Sequence, residues 1–355
     1  NYNTVVGDEA GTDITTGDSN TGVGYGSLNE TTTGGSNTAI GVNSLEANTT
    51  GSNNTALGVQ ALDTNTTASN NTAVGYQSLY ANTTGAYNIA IGNYAVDANT
   101  TANYNIGIGY NALTSEASGT SNVGIGHAAL EDSNGANYNT AVGYGSLRNN
   151  TTADNNTALG FASLGANTTG TYNTALGRSA GGAVTTGTLN TLIGGLAGDA
   201  LTDADNNVAI GYQALSGDTL GSRSIAIGRG ALQVQNFTSA TNTYNTAMGY
   251  GAGQSVSTGI ENTLIGGLAG DALTDADFNI AIGTYALTSD TLGSRSVAIG
   301  RSALAAQNFT SATNTYNVAV GHEAGQAVTT GTNNTLIGGL AGDALTTGAE
   351  NTVLG

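Results

Sequence analysis

The sequence repeats itself every 17 residues over most of its length. The stretch NTALGVQALDTNTTASN at 54–70 is followed directly by NTAVGYQSLYANTTGAY at 71–87. The core of each repeat, N-T-x-aliphatic-G, recurs at steps of 17 residues, with a step of 21 at two places. A short fixed period is typical of solenoids, in which each repeat packs only on its neighbours. We call each repeat a coil and number its positions from the first residue of this core.

The residue types at each coil position predict two short extended segments joined by two bends. Position five is Gly in all 21 coils, position four is always Val, Ile, Leu or Met, and position two is Thr, Val or Ile. β-Branched and aliphatic residues favour a strand at positions two to four, and the Gly that follows favours a corner. Position nine is often apolar, and Asn-Thr-Thr then favours the return bend. The predicted fold class is all-β: a parallel β-solenoid, or β-roll, of 17-residue coils with occasional 21-residue coils.

The same register predicts columns of identical side chains along the stack. Asn at position one is expected to form a ladder in which amide pairs with amide. Residues 1–172 contain only 17-residue coils, whereas 173–355 continue the solenoid with a 72-residue unit of three 17-residue coils and one of 21. Representative members of the predicted ladder and of the corner column are Asn54, Asn71, Asn88, Gly58, Gly75 and Gly92.

Strand alternation groups positions two and four on one face and positions one and three on the other. The aliphatic character of positions two and four favours them as the inward pair. Position three, mostly Ala or Gly, is then expected to face outward and to let a neighbouring chain approach. Leu192, Leu264 and Leu336 occupy this position. They would be exposed in a single chain, which favours lateral association, unless they fill a widened coil.

Composition excludes several classes of function. The net charge is −18 with six Arg and no Lys, which argues against nucleic-acid binding because phosphate recognition needs clustered cations. There is no Cys, and therefore no disulfide or thiolate metal site. No apolar run is long enough to span a membrane. The chain starts and stops within the repeat motif, so we expect either a longer protein or coils that stack end to end between copies.

The segments SIAIGRGAL (224–232), SVAIGRSAL (296–304) and NVAIGYQAL (207–215) resemble the head repeats of YadA-like trimeric autotransporter adhesins. Similar repeats occur in phage tail fibres and bacterial surface filaments. The resemblance implies a left-handed parallel β-roll with three chains side by side. It covers the five-residue core of nearly every coil and does not indicate a ligand.

Aromatic residues indicate candidate contact surfaces. Tyr recurs directly after the corner Gly and again at the last position of the coil. Stacked Tyr residues could contact protein or sugar, or could cover the corners by packing on one another. The 21-residue coils share QNFTSATNTYN, a four-residue bulge predicted to be a contact loop. The predicted contact residues are Tyr87, Tyr104, Tyr138, Tyr172, Phe237 and Phe309.

Other polar motifs have simpler structural explanations. Alternating acidic residues resemble the start of a calcium loop, but the Gly and the distal Glu of that loop are missing. Two interpretations are therefore open, a solvated bend or a calcium site, for Asp203, Asp205, Asp275 and Asp277. His127 and His322 are expected to be surface turn residues. The Asn-Thr-Thr triplets match glycosylation sequons, but bend and ladder roles explain them as well; they begin at Asn48, Asn65, Asn82, Asn99, Asn150 and Asn167.

The sequence therefore predicts a non-enzymatic extracellular fibrous protein: part of a surface adhesin, a tail fibre or an extracellular filament. Its expected partners are copies of itself, as a homotrimer or an end-to-end filament, and a host or cell-surface protein or glycan. No cofactor is expected apart from the calcium considered above. The alternative is an ice-binding or calcium-stabilised binding solenoid.

Overall fold

The computed structural model describes residues 2–355 and divides them into two compact units, one ending at Tyr172 and the other spanning Asn173–Gly355. Each unit is built from short parallel strands joined by turns, and no helix occurs in the described residues. The strands of the first unit are β1 (Thr4–Val6), β2 (Thr21–Val23), β3 (Thr38–Ile40), β4 (Thr55–Leu57), β5 (Thr72–Val74), β6 (Ile89–Ile91), β7 (Ile106–Ile108), β8 (Val123–Ile125), β9 (Thr140–Val142) and β10 (Thr157–Leu159).

The second unit has the same three-residue strands and two additional pairs of two-residue strands, each of which joins a 21-residue coil to the coil before it. Its strands are β11 (Thr174–Leu176), β12 (Thr191–Ile193), β13 (Val208–Ile210), β14 (Gly221–Ser222), β15 (Ile225–Ile227), β16 (Thr241–Asn242), β17 (Thr246–Met248), β18 (Thr263–Ile265), β19 (Ile280–Ile282), β20 (Gly293–Ser294), β21 (Val297–Ile299), β22 (Thr313–Asn314), β23 (Val318–Val320), β24 (Thr335–Ile337) and β25 (Thr352–Leu354).

The predicted fold class is confirmed. Strands occupy positions two to four of each coil and pair in parallel with a shift of one coil, as in Thr55↔Thr72 and Leu57↔Val74. Because the register equals the repeat length, every coil position forms a column of equivalent residues. A single coil buries little by itself, so the fold is stabilised by contacts between neighbouring coils.

The prediction that positions two and four face inward is wrong. In β4, Ala56 at position three is fully buried whereas Leu57 at position four is 45% exposed. Asn54 at position one is buried with it. The physical reason is the thinness of the coil: Leu62 at position nine, also fully buried, fills the interior from the opposite side. Only a small residue fits against it, so the larger aliphatics lie on the outer face.

Leu192, Leu264 and Leu336 are also fully buried, which corrects the expectation that they face outward. In their coils position nine is Gly rather than Leu, and position twelve is an additional Leu. A Cβ on Gly198 would lie 2.8 Å from both Leu192 Cδ2 and Leu201 Cδ1. The two coils therefore fill a similar interior in different ways. Positions three, nine and twelve are Ala, Leu and Asn in the coil that begins at Asn54, and Leu, Gly and Leu in the coil that begins at Asn190. These leucines therefore fill the coil interior, as the alternative expected, but the room comes from the Gly at position nine.

This exchange of core residues predicts a compensated set of substitutions. Gly198→Leu alone would overfill the coil and lower the free energy of unfolding by about 3 kcal/mol. Adding Leu192→Ala and Leu201→Asn recreates the pattern of Ala56, Leu62 and Asn65, and most of the loss should be recovered. Thermal and denaturant unfolding of the single and triple variants would measure both effects. A triple variant less stable than the single one would contradict this account of the core.

The corners depend on unusual backbone conformations. Positions seven, nine and seventeen adopt left-handed conformations even when they are not Gly, as at Asn43 (φ 53°), Leu45 (φ 53°) and Asn53 (φ 60°). The corner Gly at position five is required for a different reason. A Cβ on Gly143 would lie 2.5 Å from the carbonyl oxygen of Gly160 in the next coil, where backbone stacks directly on backbone.

Two glycines of one coil provide a matched test of this corner. Gly143→Ala is expected to lower the free energy of unfolding by more than about 3 kcal/mol. The added Cβ would clash with the backbone of Gly160, and the φ of 132° at this residue is unfavourable for any residue with a side chain. Gly145→Ala, at a φ of 60° with no atom within 4 Å of its Cβ, should cost only about 1 kcal/mol. Denaturant unfolding of both variants checks the difference. Equal losses would show that close stacking does not set the requirement for Gly.

Candidate functional site

Two buried ladders hold successive coils together. At position one, Asn54 Oδ1 accepts a hydrogen bond from the backbone N–H of Asn71 at 3.0 Å, and Asn71 Oδ1 accepts one from Asn88 at 2.9 Å. Each amide also donates to a carbonyl across the coil, as from Asn71 Nδ2 to Gly85 at 2.9 Å. The ladder of Asn54, Asn71 and Asn88 is therefore present, and in these coils it pairs amide with backbone. The predicted pairing of amide with amide is found at position one of other coils, as from Asn190 Nδ2 to Asn173 Oδ1 at 3.1 Å.

Amide-to-amide pairing also occurs at position twelve, in the Asn-Thr-Thr triplets. Asn65 Nδ2 donates to Asn48 Oδ1 at 3.0 Å, and Asn82 and Asn99 continue the series at 2.8 and 2.7 Å. These side chains are fully buried. An amide enclosed in this way is inaccessible to glycosylation in the folded chain, so ladder formation explains the triplets. Asn150 and Asn167 repeat the arrangement.

The position-twelve ladder has a direction, because each amide donates to the preceding coil. Its last member in this series, Asn99, retains a buried Oδ1 without a donor. The next coil has Glu116 at this position, and a carboxylate supplies no N–H. Glu116 is fully buried and accepts hydrogen bonds from Gly135 N at 2.9 Å and Ser133 Oγ at 2.7 Å.

The predicted contact tyrosines lie on the outside. Tyr87, Tyr104, Tyr138 and Tyr172 are all exposed. Tyr87 and Tyr104 belong to successive coils, and their rings stack at 5.2 Å with an interplanar angle of 8°. The coil after that of Tyr104 has Ser121 at the same position, and the coil after that of Tyr138 has Asn155. Tyr87 and Tyr104 cover the faces that they turn toward one another, whereas the rings of Tyr138 and Tyr172 are not stacked on a ring at the same position of an adjacent coil.

A longer aromatic column follows the corner glycines of the first unit. It consists of six rings in consecutive coils, and we call it the aromatic column: Tyr76, Tyr94, Tyr110, His127, Tyr144 and Phe161. From Tyr110 to Phe161 the rings stack at 5.0–5.3 Å. Tyr94 lies one position later in its coil and bridges its neighbours edge to face. The sequence identified the tyrosines after the corner, but it did not identify Tyr94, His127 or Phe161 as members of one column.

The bulges of the 21-residue coils are fixed by buried polar networks. Asp218 Oδ1 accepts hydrogen bonds from Gly221 N at 3.0 Å and Phe237 N at 3.1 Å, and its Oδ2 accepts one from Gln235 at 2.6 Å. The ring of Phe237 is only 7% exposed and anchors the bulge rather than forming a contact surface.

The second bulge repeats this network. Asp290 accepts hydrogen bonds from Gln307 at 2.6 Å and from the backbone of Phe309 at 3.0 Å. Phe309 is also buried. Each bulge has a continuous exposed stretch, Thr-Ser-Ala at 238–240 and 310–312, and further exposed residues on either side of it.

The predicted calcium ligands form hydrogen bonds between coils. Asp203 Oδ1 accepts one from Thr186 Oγ1 at 2.5 Å, and Asp205 Oδ1 accepts one from Thr188 N at 2.7 Å. Asp275 and Asp277 repeat this pattern at 2.6 and 2.8 Å. Residues 2–355 contain no group of three or more His, Cys, Asp or Glu side chains placed to hold a metal ion.

Position ten places several carboxyl groups in a partly buried column. Burial raises the pKa of Asp97 to about 6, and its buried Oδ1 has no hydrogen-bond partner. Burial also raises the pKa values of Asp63 and Asp199, as well as that of Glu46, which in addition interacts with Asp63 in the next coil. Burial disfavours the charged form of each carboxyl group, and at Glu46 the neighbouring Asp63 adds to this effect.

No family model matches the sequence, and no curated protein matches it. The part of the chain described by the structure has no helix of the length and hydrophobicity needed to cross a membrane.

The pKa of Asp97 predicts a pH dependence of stability. The folded state retains the proton up to about pH 6, whereas an unfolded Asp loses it near 3.8. Stability therefore falls as the pH rises through this interval. Asp97→Asn should remove this dependence. Its size should be only about 1–2 kcal/mol, because solvent screens the charge of a half-buried carboxylate. The difference in unfolding free energy between this variant and the native chain should grow from pH 4 to pH 7.

The exposed Asp132 provides the control for this measurement. Asp132→Asn should leave the shape of the pH profile unchanged. If Asp97→Asn gives the same profile as the native chain, the raised pKa does not contribute to stability.

Proposed function

We propose that this chain is a non-enzymatic segment of an extracellular fibrous protein, such as a surface adhesin, a tail fibre or an extracellular filament. The observation that carries the proposal is the stacking of coils in register through buried Asn ladders. Such a stack resists extension and local unfolding because each coil is held by both neighbours. It also displays any residue at an outer position as a regular column, which suits a scaffold for contact with a cell-surface protein or glycan.

The outer face of the sheet supports self-association. Positions two and four point outward in each unit and carry Thr, Val, Ile, Leu or Met, without a single charged residue in any coil. Ile40, Leu57 and Ile91 are each more than a third exposed. Two copies that each carry a net charge of −18 repel one another over most of their surface. An uncharged apolar face is where such copies can approach, either as a trimer or in a larger fibre.

The proposal predicts that charge on this face prevents association. Leu57→Lys together with Ile91→Lys places two cations on exposed strand positions of two coils. The native chain should sediment as a multimer, and the double variant should sediment as a single chain. Analytical ultracentrifugation over a range of concentrations measures this, and electron cryo-microscopy class averages would distinguish a threefold cross-section from single stacks joined end to end.

The matched control places the same charges in the same two coils at the return bend. Thr67 and Thr101 are exposed and lie away from the strand face. Thr67→Lys with Thr101→Lys should remain multimeric. A native chain that is monomeric at high concentration would contradict self-association, and equal dissociation of both double variants would contradict the assignment to this face.

A further inference from the structure

Two departures from the repeat occur in consecutive coils and contact one another. Position twelve is Asn in four successive coils but Glu116 in the coil that follows them. Position fourteen of the next coil is Gly135, where the coil after it has Thr152. Gly135 adopts a φ of 89°, and its backbone N–H donates to Glu116 Oε1 at 2.9 Å. Because both departures interrupt a column and meet at one hydrogen bond, they indicate a local role that the repeat itself does not supply.

Glu116 is held in place by neutral groups. Its side chain is fully buried, and its Oε2 accepts a hydrogen bond from Ser133 Oγ at 2.7 Å. Its Oε1 also accepts hydrogen bonds from the backbone N–H groups of Ser118, at 3.3 Å, and of Gly119. No cation is among these partners. A carboxylate within hydrogen-bond reach of an N–H group is positioned as a general base for that proton, and the N–H of Gly135 is the one that comes from the next coil.

The N–H that Glu116 faces belongs to Asn134-Gly135, the single Asn-Gly sequence in the chain. In such a dipeptide the Gly nitrogen lies next to the side-chain carbonyl group of Asn, and Gly has no side chain to hinder their approach. Asn134 is exposed, so solvent reaches its amide group. The equivalent N–H of the following coil, that of Thr152, donates instead to the carbonyl oxygen of Thr168 at 3.4 Å.

We propose that Asn134 is a site of spontaneous self-modification, in which Glu116 takes up the proton of the Gly135 nitrogen. This nitrogen forms a bond with Cγ of Asn134 while its proton passes to Glu116 Oε1. The bond between Cγ and Nδ2 then breaks, and the proton leaves with Nδ2 as ammonia. Water opens the resulting succinimide at either carbonyl group and gives aspartate or isoaspartate. No atom is oxidised or reduced in these steps.

The products change the coil in two ways. Either product places a carboxylate at an exposed position of a chain whose net charge is already −18. Isoaspartate also lengthens the backbone by one methylene group, in a stack whose coils match residue for residue. Asn134 N donates to the carbonyl oxygen of Thr151 in the next coil at 2.9 Å. We expect this link between coils to weaken when the backbone is lengthened beside it.

The test measures the modification in the purified full chain during incubation at neutral pH. After denaturation, chymotryptic digestion releases a short peptide that contains Asn134, and mass spectrometry measures conversion of its amide to the acid. Labelling with an isoaspartyl methyltransferase distinguishes isoaspartate from aspartate. The test variant is Glu116→Gln, which keeps an oxygen acceptor for Gly135 N but removes the base. We expect conversion of Asn134 to be about tenfold slower in this variant.

The matched control is Thr151→Asn with Thr152→Gly, which introduces the same dipeptide at the equivalent positions of the next coil. The coil before it has Ser133 at position twelve, so the introduced dipeptide has no carboxylate beside it. In the folded chain it should react about tenfold more slowly than Asn134. In denaturant both dipeptides should react at the same rate, because only the fold brings Glu116 to Gly135.

Three results would overturn the proposal. Asn134 keeps its amide during incubation of the folded native chain, Glu116→Gln fails to slow its conversion, or the introduced dipeptide reacts as fast as Asn134 in the folded chain. Circular dichroism melting checks that both variants fold. If Glu116→Gln does not fold, the comparison of the two dipeptides still decides, because the control variant retains Glu116.

Discussion

The structure depends on a register that places each residue beside its equivalent in the next coil. A column is stable only if its residue type interacts favourably with itself. Asn does so because its side chain both donates and accepts, and Gly does so at corners where backbone stacks on backbone. Aromatic rings stack as well. Carboxylates do not, which is consistent with a charged-residue content of only 8% and with the pKa of Glu46, which burial and the neighbouring Asp63 both raise.

The period, the strand positions and the corner glycines could be predicted from the sequence, because each is a constant residue type at a constant spacing. Which face of the strand points inward could not. Alternation separates Ala56 from Leu57 but does not assign a side, and hydrophobicity favoured the larger residue. The deciding quantity is volume. Leu62 fills the coil from the opposite side, and only the packed structure shows that no room remains for a second large residue.

The same limit applies to the polar columns. The sequence indicated an Asn ladder at position one and a bend at position twelve, yet both positions form buried ladders with different hydrogen bonds. Asn is typical both of bends and of buried ladders, so the sequence does not distinguish the two roles. They differ in whether the side chain points into the coil. The directional pairing from Asn99 back to Asn48 also explains why a single substitution at Glu116 leaves one buried acceptor unpaired.

Buried columns constrain the fold, whereas outer columns vary with little effect on it. Position six carries five of the six rings of the aromatic column in the first unit but glycine and arginine at several places in the second, while the Asn ladder at position one is nearly the same in both. The strand face remains uncharged in every coil, so it varies less than a solvated surface would. The outer columns therefore differ from one another: the strand face keeps one uncharged composition in both units, whereas the corner carries different side chains in each.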